Sequence, residues 1–358
     1  MKIVHVIESS ATGTLAVVRM VANRLAREGH KVYVIYSRRE DTPVGLRAQF
    51  DPSIALCHIR MRGPNFPKVI WGLRRMLMSI EPDIVHLHSS FAGFFGRLAS
   101  ILALKSTAFF YSPHCISFMR TDVSFARKLA FAAFELIACV RECMYVACSE
   151  SEKAAVEAYL KRSAVLVENA VTPIIPPVRD VGTVREMSGH ARVIVTVGGI
   201  RPQKNPEFFA EIARELRRDL QTRFVWIGDG DAKLKQALRS AGVEVTGWVD
   251  ADEVSSRLCA ADVYLSTSAW EGMPVSVIEA MASGTPVVVS NCAGNVDVIE
   301  HLHTGAIFKD RDEAVTLLKR VLRDEQLSRA LSKRATKEAH TRFGEERFFR
   351  ELTSLYAN

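Results

Sequence analysis

The stretch RVIVTVGGIRPQKNPEFFAEIARELRRDLQTRFVWI, residues 192–227, decides the fold class. Its apolar run at residues 192–197 predicts a buried strand, and a glycine pair follows that strand directly. Residues 206–219 predict a helix, and a second apolar run at residues 224–227 predicts the next strand. A strand, a helix and a strand in that order predict one unit of a parallel α/β sheet.

The same alternation continues on both sides of this stretch. Beyond it we expect strands at residues 243–246, 263–266 and 286–289, and helices at 233–241, 252–260, 275–283, 312–340 and 345–357. Before it we expect strands at residues 2–7, 31–36, 83–87, 107–111, 145–148 and 165–167, and helices at 14–28, 92–104, 123–141 and 151–160. Strands that alternate with helices in this way predict parallel sheets throughout.

A change in composition divides the chain into two halves. Residues 172–190 contain Pro173, Pro176 and Pro177 and then a polar stretch, which is typical of an interdomain linker. The length of 358 residues also suits two domains. We therefore predict two Rossmann-like domains, the first at residues 1–171, with ligands in a cleft between them at the carboxyl ends of the strands.

The charge of the chain is unevenly distributed between these halves. Residues 1–171 carry 22 Lys and Arg against 14 Asp and Glu, a net charge of +8, whereas residues 172–358 carry 25 against 26, a net charge of −1. A basic first half indicates an anionic partner, which is a nucleic acid, a membrane surface or a phosphorylated ligand. No recognised nucleic-acid motif accompanies the charge, so we expect no nucleic acid.

The sequence indicates neither a membrane span nor a disulfide framework. The longest apolar run, residues 129–140, is 12 residues long and contains Glu135, whereas a span needs about 20 residues. The apolar stretch at residues 3–7 is too short for a signal peptide. Seven cysteines without Cys-x-x-Cys spacing predict reduced, mostly buried thiols in the cytoplasm.

The most informative motif is EGMPVSVIEAMASGTP, residues 271–286. It places Glu271 and Glu279 eight positions apart across a strand-to-helix turn, where Gly272 frees the backbone and Pro274 suits the first turn of a helix. If the segment were fully helical, its rise would separate the two residues by roughly 12 Å. The N–H groups at such a helix start suit a diphosphate. A solvated Glu271 with a capped Glu279 is the alternative.

A second motif, GGIRPQKNP at residues 198–206, also joins a strand to a helix. We expect Asn205 to cap this helix and Pro206 to be its first residue. Arg201 and Lys204 would then lie beside the positive end of the helix, where two cations can hold a diphosphate leaving group without a metal. Two solvated surface cations are the alternative.

Weaker signals lie at the ends of other predicted strands. The Gly-Asp-Gly triplet at residues 228–230 is common in simple turns, and the loop at residues 8–14 lacks Gly-x-Gly-x-x-Gly, which argues against a dinucleotide cofactor. His114 follows a strand and either binds a sugar hydroxyl or is structural. His86 and His88 share one face of a strand, but no third ligand is apparent, so we expect no metal.

Together these motifs resemble those of the retaining glycosyltransferases of family 4, which have the GT-B fold. The matching segments are residues 114, 149–150, 169–170, 199–205, 227–230, 247–248, 268–272 and 279–286. The resemblance spans nearly the whole chain and is most specific after residue 195, where Glu271 and Glu279 form the Glu-x7-Glu pattern of the family. Within the family, the sequence looks most like bacterial enzymes that build surface polysaccharides.

The resemblance implies a role for each matching residue. Arg201 and Lys204 would hold the donor diphosphate, and His114 would approach the donor sugar from the first domain. Glu271 would contact the donor sugar, and Glu279 would bind the ribose hydroxyls. The other implied donor-binding positions are Gly13, Gly199, Gly228, Gly247, Trp248, Gly272, Met273 and Pro274. The single glycine at residue 13 departs from the paired glycines usual in the family.

The resemblance also implies a domain plan and a reaction. Residues 172–344 would be the donor domain, and a C-terminal helix at residues 345–358 would cross back onto the first, acceptor-side domain. The implied reaction moves a sugar, with retention of configuration, from a nucleotide diphosphate sugar (UDP-sugar favoured) to a hydroxyl of a glycan or polyprenyl-diphosphate-linked acceptor. No cofactor or metal is implied. Alternatives are a GT-B-like sugar-nucleotide epimerase, an inverting transferase and a non-catalytic sugar-nucleotide-binding subunit.

One further segment bears on localisation. Residues 68–78 combine Lys68, Arg74 and Arg75 with Trp71 and other apolar side chains, which suits either an interfacial helix on an anionic membrane or a core helix with a basic face. A lipid-linked acceptor that bears a diphosphate would account for the basic first half. We therefore expect a cytoplasmic protein and leave open peripheral contact with the inner face of the cell membrane.

Overall fold

The computed structural model describes residues 1–9, 12–63, 65–172 and 191–357, without the side chain of Thr12. All but the first residue of the predicted linker, residues 172–190, lies outside these ranges. The chain divides into two compact units. Met1–Asn169 and Phe348–Asn358 form the first unit, and Ala170–Arg347 forms the second.

The first unit is built on a parallel sheet with the strand order β3-β2-β1-β4-β5-β6-β7. Its strands are β1 (Lys2–Ile7), β2 (Lys31–Tyr36), β3 (Ala55–His58), β4 (Ile84–His88), β5 (Ala108–Ser112), β6 (Met144–Ala147) and β7 (Ala164–Leu166). Its helices are α1 (Thr12–Arg27), α2 (Phe66–Ile80), α3 (Ser90–Ala99), α4 (Phe125–Ala138) and α5 (Glu150–Leu160), joined by most of the C-terminal helix (Glu345–Ala357).

The strand order determines which face of this sheet each helix covers. From β1 to β2 the chain moves towards one edge of the sheet. From β3 it returns to β4, beside β1, and then moves through β5 and β6 to β7 at the opposite edge. Because crossovers between parallel strands are right-handed, α1 covers one face and α2 to α5 cover the opposite face. The C-terminal helix lies beside α1, since the guanidinium of Arg24 lies 5.0 Å from the ring centroid of Phe349. With both faces covered, β4 is buried at every position.

A buried ion pair joins α3 to α4. The guanidinium of Arg97, which is fully buried, pairs with the carboxylate of Glu135. The Tyr111 hydroxyl donates a hydrogen bond to Glu135 at 3.0 Å, and Arg97 donates one to the Tyr145 hydroxyl at 2.7 Å. Buried charges persist when they are paired and hydrogen-bonded, so this network holds the two helices against β5 and β6.

The second unit is built on a parallel sheet with the strand order β10-β9-β8-β11-β12-β13. Its strands are β8 (Arg192–Val197), β9 (Thr222–Ile227), β10 (Glu244–Val245), β11 (Val263–Ser266), β12 (Val287–Ser290) and β13 (Ala306–Phe308). Its helices are α6 (Pro206–Leu216), α7 (Ala232–Ser240), α8 (Ala251–Ala260), α9 (Val275–Ala282), α10 (Asn295–Val298), α11 (Arg311–Arg323) and α12 (Glu325–Thr341), which makes the C-terminal helix α13.

The structure confirms the predicted α/β class and its parallel sheets. The predicted helix at residues 312–340 is wrong, because the chain turns at Asp324 between α11 and α12. The Asp324 carboxylate accepts the N–H of Leu327 at 2.9 Å and so caps the new helix. The sequence analysis also misses β3, β13 and α10, which are three or four residues long and too short for a clear hydrophobic period.

The cysteines are free, as predicted. Cys148 and Cys259 are buried, the other five are partly buried, and none is exposed, which agrees with the expectation of mostly buried thiols.

We expect Glu135→Leu to lower the free energy of unfolding by about 3–5 kcal/mol, because it leaves the Arg97 guanidinium buried without its counter-charge. The paired change Arg97→Met with Glu135→Leu should recover most of that loss. Urea unfolding of the three proteins measures both effects. An unfolding midpoint of Glu135→Leu equal to that of the wild type would contradict this account.

Candidate functional site

The loops that follow β8 and β9 lie in direct backbone contact. The Ile200 N–H donates to the Asp229 carbonyl at 2.8 Å, and the Asp231 N–H donates back to the Ile200 carbonyl at 2.9 Å. A Cβ on Gly228 would lie 2.2 Å from the Gly198 carbonyl oxygen, so this approach needs glycine at residue 228. The two loops therefore form one rigid edge at the carboxyl ends of the central strands.

Two cations fold back over the glycine pair after β8. An ideal Cβ on Gly199 would lie 2.5 Å from an Arg201 guanidinium nitrogen, and one on Gly198 would lie 2.9 Å from Lys204 Cε. Asn205 occupies the N-cap position of α6, as predicted, but it does not cap the helix with its side chain. This residue adopts a left-handed conformation (φ 50°, ψ 60°), and its side chain makes no capping hydrogen bond, although Pro206 does begin α6.

Glu271 is the centre of a buried polar cluster. Its Oε1 accepts from Lys204 Nζ at 2.8 Å and from Ser268 Oγ at 2.8 Å. Its Oε2 accepts from Gln203 Nε2 at 3.1 Å. The residue is only 6% exposed, so the alternative of a solvated Glu271 is wrong. Sequence reasoning missed Gln203 and Ser268, although both lie within the quoted motifs.

The ion pair sets the charge of Lys204. Burial lowers the pKa of this ammonium, but the Glu271 carboxylate outweighs burial, and the pKa is raised overall. Lys204 is therefore a fixed positive charge at neutral pH. The loop after β11 is tied to the same segment, because the Ala269 N–H donates to the Gln203 carbonyl at 2.9 Å and Thr267 Oγ1 donates to the Lys204 carbonyl at 2.9 Å.

The segment between the two glutamates is only partly helical. Residues 271–274 form a turn, and α9 begins at Val275 with Pro274 as its N-cap residue. The separation of 12 Å expected for a continuous helix therefore does not apply. Pro274 supplies no side-chain hydrogen bond to the first N–H groups of α9. Glu279 lies in the second turn of α9 and is half-buried, and Gly272, Met273 and Pro274 are buried.

A backbone contact holds the Glu271 turn from behind. The Glu271 N–H donates to the Ala293 carbonyl at 3.1 Å. A Cβ on Gly294, which has a φ of 84°, would lie 2.6 Å from Glu271 Cβ. Glycine at residue 294 is thus needed both for its backbone conformation and for this approach.

The loop after β10 carries the remaining predicted residues of this unit. Gly247 has a φ of 79° and pairs with Gly228 in an isolated antiparallel bridge. Trp248 follows it and is half-exposed. Asp229 is engaged next to this bridge, because its Oδ1 accepts from Lys235 Nζ at 2.5 Å. The structure therefore brings the loops of β8, β9, β10 and β11 together at one edge of the sheet.

In the first unit, Gly13 lies in the first turn of α1, and His114 follows β5. His114 Nε2 is 3.0 Å from His88 Nδ1, and His88 Nε2 is 3.1 Å from His5 Nδ1. His86 is stacked on His88 with ring centroids 4.1 Å apart, and its nitrogens contact the Tyr356 hydroxyl at 2.6 Å and Ser112 Oγ at 2.9 Å. No local sequence pattern connects His5 with the other histidines.

Burial keeps these histidines neutral. It lowers the pKa of His5 and of His114 to about 4, and it lowers those of His86 and His88 well below the usual 6.5. Contrary to the sequence-based view that no third ligand accompanies His86 and His88, nitrogens of His5, His86 and His88 lie within 4.8 Å of one another. Hydrogen bonds already engage both nitrogens of His86 and His88.

Comparison with known proteins defines the class. The family model Glycosyltransferase Family 4 matches residues 11–173, and the model Glycosyl transferases group 1 matches residues 191–324. The chain therefore belongs to glycosyltransferase family 4, with the GT-B fold, as its motifs suggested. It is an enzyme, a glycosyltransferase of the hexosyltransferase type.

Curated relatives share about a quarter of the sequence. The chain is 28% identical over 286 residues to the UDP-Gal:α-D-GlcNAc-diphosphoundecaprenol α-1,3-galactosyltransferase of Escherichia coli, covering 73% of this chain and 72% of that one. It is 27% identical over 322 residues to the GDP-mannose-dependent α-mannosyltransferase of Mycolicibacterium smegmatis, covering 86% and 84% of the two chains.

Solved structures share the fold across the full length. Sucrose-phosphate synthase from Thermosynechococcus elongatus matches with a TM-score of 0.84 at 18% identity, covering 100% of this chain and 98% of that one. HepE from Anabaena, in complex with UDP and glucose, matches with a TM-score of 0.82 at 16% identity, covering 100% and 99%. Within the described residues, no helix is both long and apolar enough to cross a membrane.

We expect Gly294→Ala to destabilise the second unit more than Gly284→Ala does. Both positions have a positive φ, of 84° and 73°, which strains an alanine at either, and the ψ of −48° at Gly294 lies outside the left-handed helical region and adds to that strain. At Gly284 the nearest atom to an added Cβ is 3.6 Å away, whereas at Gly294 the new methyl collides with Glu271. In thermal unfolding, Gly294→Ala should lose about 1–3 kcal/mol more free energy of unfolding than Gly284→Ala does. Equal losses in the two variants would contradict the predicted collision with Glu271.

Proposed function

We propose that the second unit binds a nucleotide diphosphate sugar, with UDP-sugar favoured, and that the enzyme transfers the sugar with retention of configuration. The acceptor is a hydroxyl of a glycan or a polyprenyl-diphosphate-linked sugar in surface polysaccharide synthesis. The observation that carries the proposal is the ion pair between Lys204 and the buried Glu271, next to Arg201 on the glycine-rich loop after β8.

The two cations would hold the donor diphosphate. In sugar transfer the bond to the diphosphate breaks while negative charge grows on the leaving group. Preorganised positive charges lower the barrier to that step. Lys204 is fixed by Glu271, and Arg201 lies against the backbone of Gly199, so both are in place before the donor binds. Two such cations supply this stabilisation, so in our proposal the step needs neither a metal nor another cofactor.

Glu271 would contact the donor sugar. A carboxylate offers about four acceptor positions, and Lys204, Ser268 and Gln203 use three of them. The remaining position suits one sugar hydroxyl. Both oxygens already accept hydrogen bonds, which weakens Glu271 as a nucleophile and favours front-face attack by the acceptor. In that path, the leaving phosphate helps to remove the acceptor proton.

The neighbouring loops would bind the nucleoside. Glu279 on α9 suits the ribose hydroxyls, and the half-exposed Trp248 with Gly247 suits the base. The first N–H groups of α9, which Pro274 leaves without a side-chain cap, suit a donor oxygen together with the backbone of Gly272 and Met273. Gly13 and Gly228 complete the proposed donor-binding set, and His114 would bind a hydroxyl of the donor sugar.

The acceptor class is proposed from charge and similarity. The E. coli relative, by its name, uses a UDP-sugar and a diphosphoundecaprenol-linked acceptor. The net charge of +8 over residues 1–171 suits a diphosphate-bearing acceptor of this kind.

Purified protein incubated with lipid-linked acceptors and with UDP-, GDP- or ADP-sugars should release nucleotide from one of these three donor classes. Nuclear magnetic resonance of the product should show that the transferred sugar keeps the anomeric configuration that it had in the donor. We expect Arg201→Ala and Lys204→Ala each to reduce kcat by about 10²–10³-fold, as for loss of one transition-state donor. Lys233→Ala, an exposed cation on α7, is the matched control.

Four outcomes would overturn the proposal. Near-wild-type turnover of the Arg201 and Lys204 variants would remove these residues from the site. An inverted product would exclude retention, and an epimerised donor would indicate the epimerase. Binding of a sugar nucleotide without turnover of any donor would indicate the non-catalytic subunit.

We also propose that the first unit contacts an anionic membrane. On α2, the exposed side chains Lys68, Trp71, Arg75 and Met78 follow the spacing i, i+3, i+7 and i+10, so they form one stripe. The stripe is both cationic and apolar, because Trp71 is 64% exposed and Met78 is half-exposed. Val69, Leu73 and Leu77 occupy the opposite, buried side. This arrangement suits the interface of a bilayer.

A second surface on the same side of the sheet was not recognised in the sequence. Helix α4 exposes an apolar face, which consists of Phe125, Leu129, Phe134, Leu136 and Ile137. Its single acid, Glu135, is buried against Arg97, so the face presents no negative charge. Because α2 and α4 both cover the face opposite α1, with α3 between them, the stripe and the apolar face suit one lipid surface.

Flotation with phosphatidylglycerol vesicles at low salt tests this contact. We expect the wild type to float, and Phe134→Ser with Ile137→Ser to reduce the bound fraction severalfold, since each removes exposed apolar area without entering the core. Val44→Ser, which changes a fully exposed side chain elsewhere in the unit, should float normally. Failure of the wild type to float, or a dimer that dissociates in the α4 variant, would overturn the membrane assignment.

A further inference from the structure

The turn that carries His114 is held in an unusual backbone conformation. His114 and Cys115 have φ values of 52° and 85°, which non-glycine residues seldom adopt in succession. A buried carboxylate stabilises the turn, because Glu152 Oε1 accepts the N–H of Cys115 at 2.6 Å and that of Ile116 at 2.9 Å. Its Oε2 accepts the Cys148 N–H at 2.9 Å. Glu152 thus fixes the backbone of the turn, and with it the position from which the His114 side chain extends.

The ring itself ends a column of three histidines. His114 Nε2 contacts His88 Nδ1, and His88 Nε2 contacts His5 Nδ1. Each neutral imidazole has one N–H, so the column allows only two arrangements. Either every ring carries its proton on Nε2 and donates towards His5, or every ring carries it on Nδ1 and donates towards His114.

The free end of the column distinguishes these arrangements. His5 Nε2 is buried and has no hydrogen-bond partner among the described residues. With protons on Nε2, the column would end in a buried, unpaired N–H. With protons on Nδ1, it ends in an unpaired acceptor. Orphaned buried N–H groups are the rarer of the two in proteins, so the Nδ1 arrangement is favoured.

We propose that His5, His88 and Glu152 are positioning residues that hold His114 as a neutral imidazole whose proton is on Nδ1. The ring then keeps one fixed donor, Nδ1–H, for an oxygen acceptor on the ligand. If the proposed function holds, that acceptor is a hydroxyl of the donor sugar. The low pKa values of His5 and His114 agree with neutral rings at pH 7.

Neither His86 nor a metal is needed in this arrangement. His86 stacks on His88, but its nitrogens are engaged outside the column by Tyr356 and Ser112. Its hydrogen bonds are therefore compatible with either proton arrangement. A metal on His5, His86 and His88 would instead take nitrogens that the column uses.

Long-range ¹H–¹⁵N correlation spectra of the full-length chain with ¹⁵N-labelled histidine test the proposal directly. The protein has ten histidines, and single His5→Asn, His88→Asn and His114→Asn variants assign the three signals. We expect Nδ1–H at all three positions, with no change after treatment with a chelator. An Nε2–H signal from His88 or His114, or a chelator-dependent change, would overturn the proposal.

Kinetics provide a second readout with a matched pair. The amide of His5→Asn can still donate to His88, whereas His5→Leu removes the donor. We expect His5→Leu to lower kcat/KM by about tenfold, because it removes a hydrogen-bond partner that orients a functional histidine. His5→Asn should retain most of the wild-type kcat/KM. Equal losses in both variants would contradict the donor role. If neither variant folds, the wild-type spectrum still decides.

The tautomers are read in protein without donor, so they do not depend on the proposed function. Absence of nucleotide release by the wild type with every sugar nucleotide would refute that function and leave the spectra interpretable. Conversely, active enzyme with Nε2–H at His114 would refute only the positioning proposal.

Discussion

The buried ion pair between Lys204 and Glu271 is the interaction on which the second unit depends. Neither charge is stable in the interior alone, and each is there because the other is 2.8 Å away. Ser268 donates to the same carboxylate oxygen as Lys204 and Gln203 donates to the other, so both oxygens of Glu271 are hydrogen-bonded. The pair joins the loop after β8 to the loop after β11, and it gives the edge of the sheet a fixed cation next to a fixed anion.

Backbone packing makes that pairing possible. Gly228 lets the loop after β9 touch the loop after β8, and Gly294 lets the segment after β12 touch the Glu271 turn. A Cβ at either position would collide with the facing segment and prevent this close approach. The polar cluster is therefore rigid because the backbone beneath it is close-packed, which is the condition for electrostatic preorganisation.

The first unit has an apolar core that also encloses several polar and charged side chains. Its interior contains His5, His86 and His88 together with the Arg97–Glu135 pair, whereas α4 presents phenylalanine, leucine and isoleucine to the outside. The buried polar groups are held by hydrogen bonds, so they specify one arrangement of the core. Exposed apolar side chains that lie together in this way are typical of a surface that binds a partner protein or a membrane.

The sequence by itself determined the α/β class, the family and the segments that form the candidate site, because hydrophobic period and strand-end motifs are local properties. It did not determine that Glu271 is buried, that Asn205 is left-handed or that α11 ends at Asp324. The Asp324 cap is a local contact with Leu327, whereas contacts between distant residues decided the burial of Glu271. Gln203 meets Glu271 across 68 positions and His5 meets His88 across 83, and no local pattern encodes such a pairing. Only the folded sheet, which aligns the ends of its strands, brings these groups together.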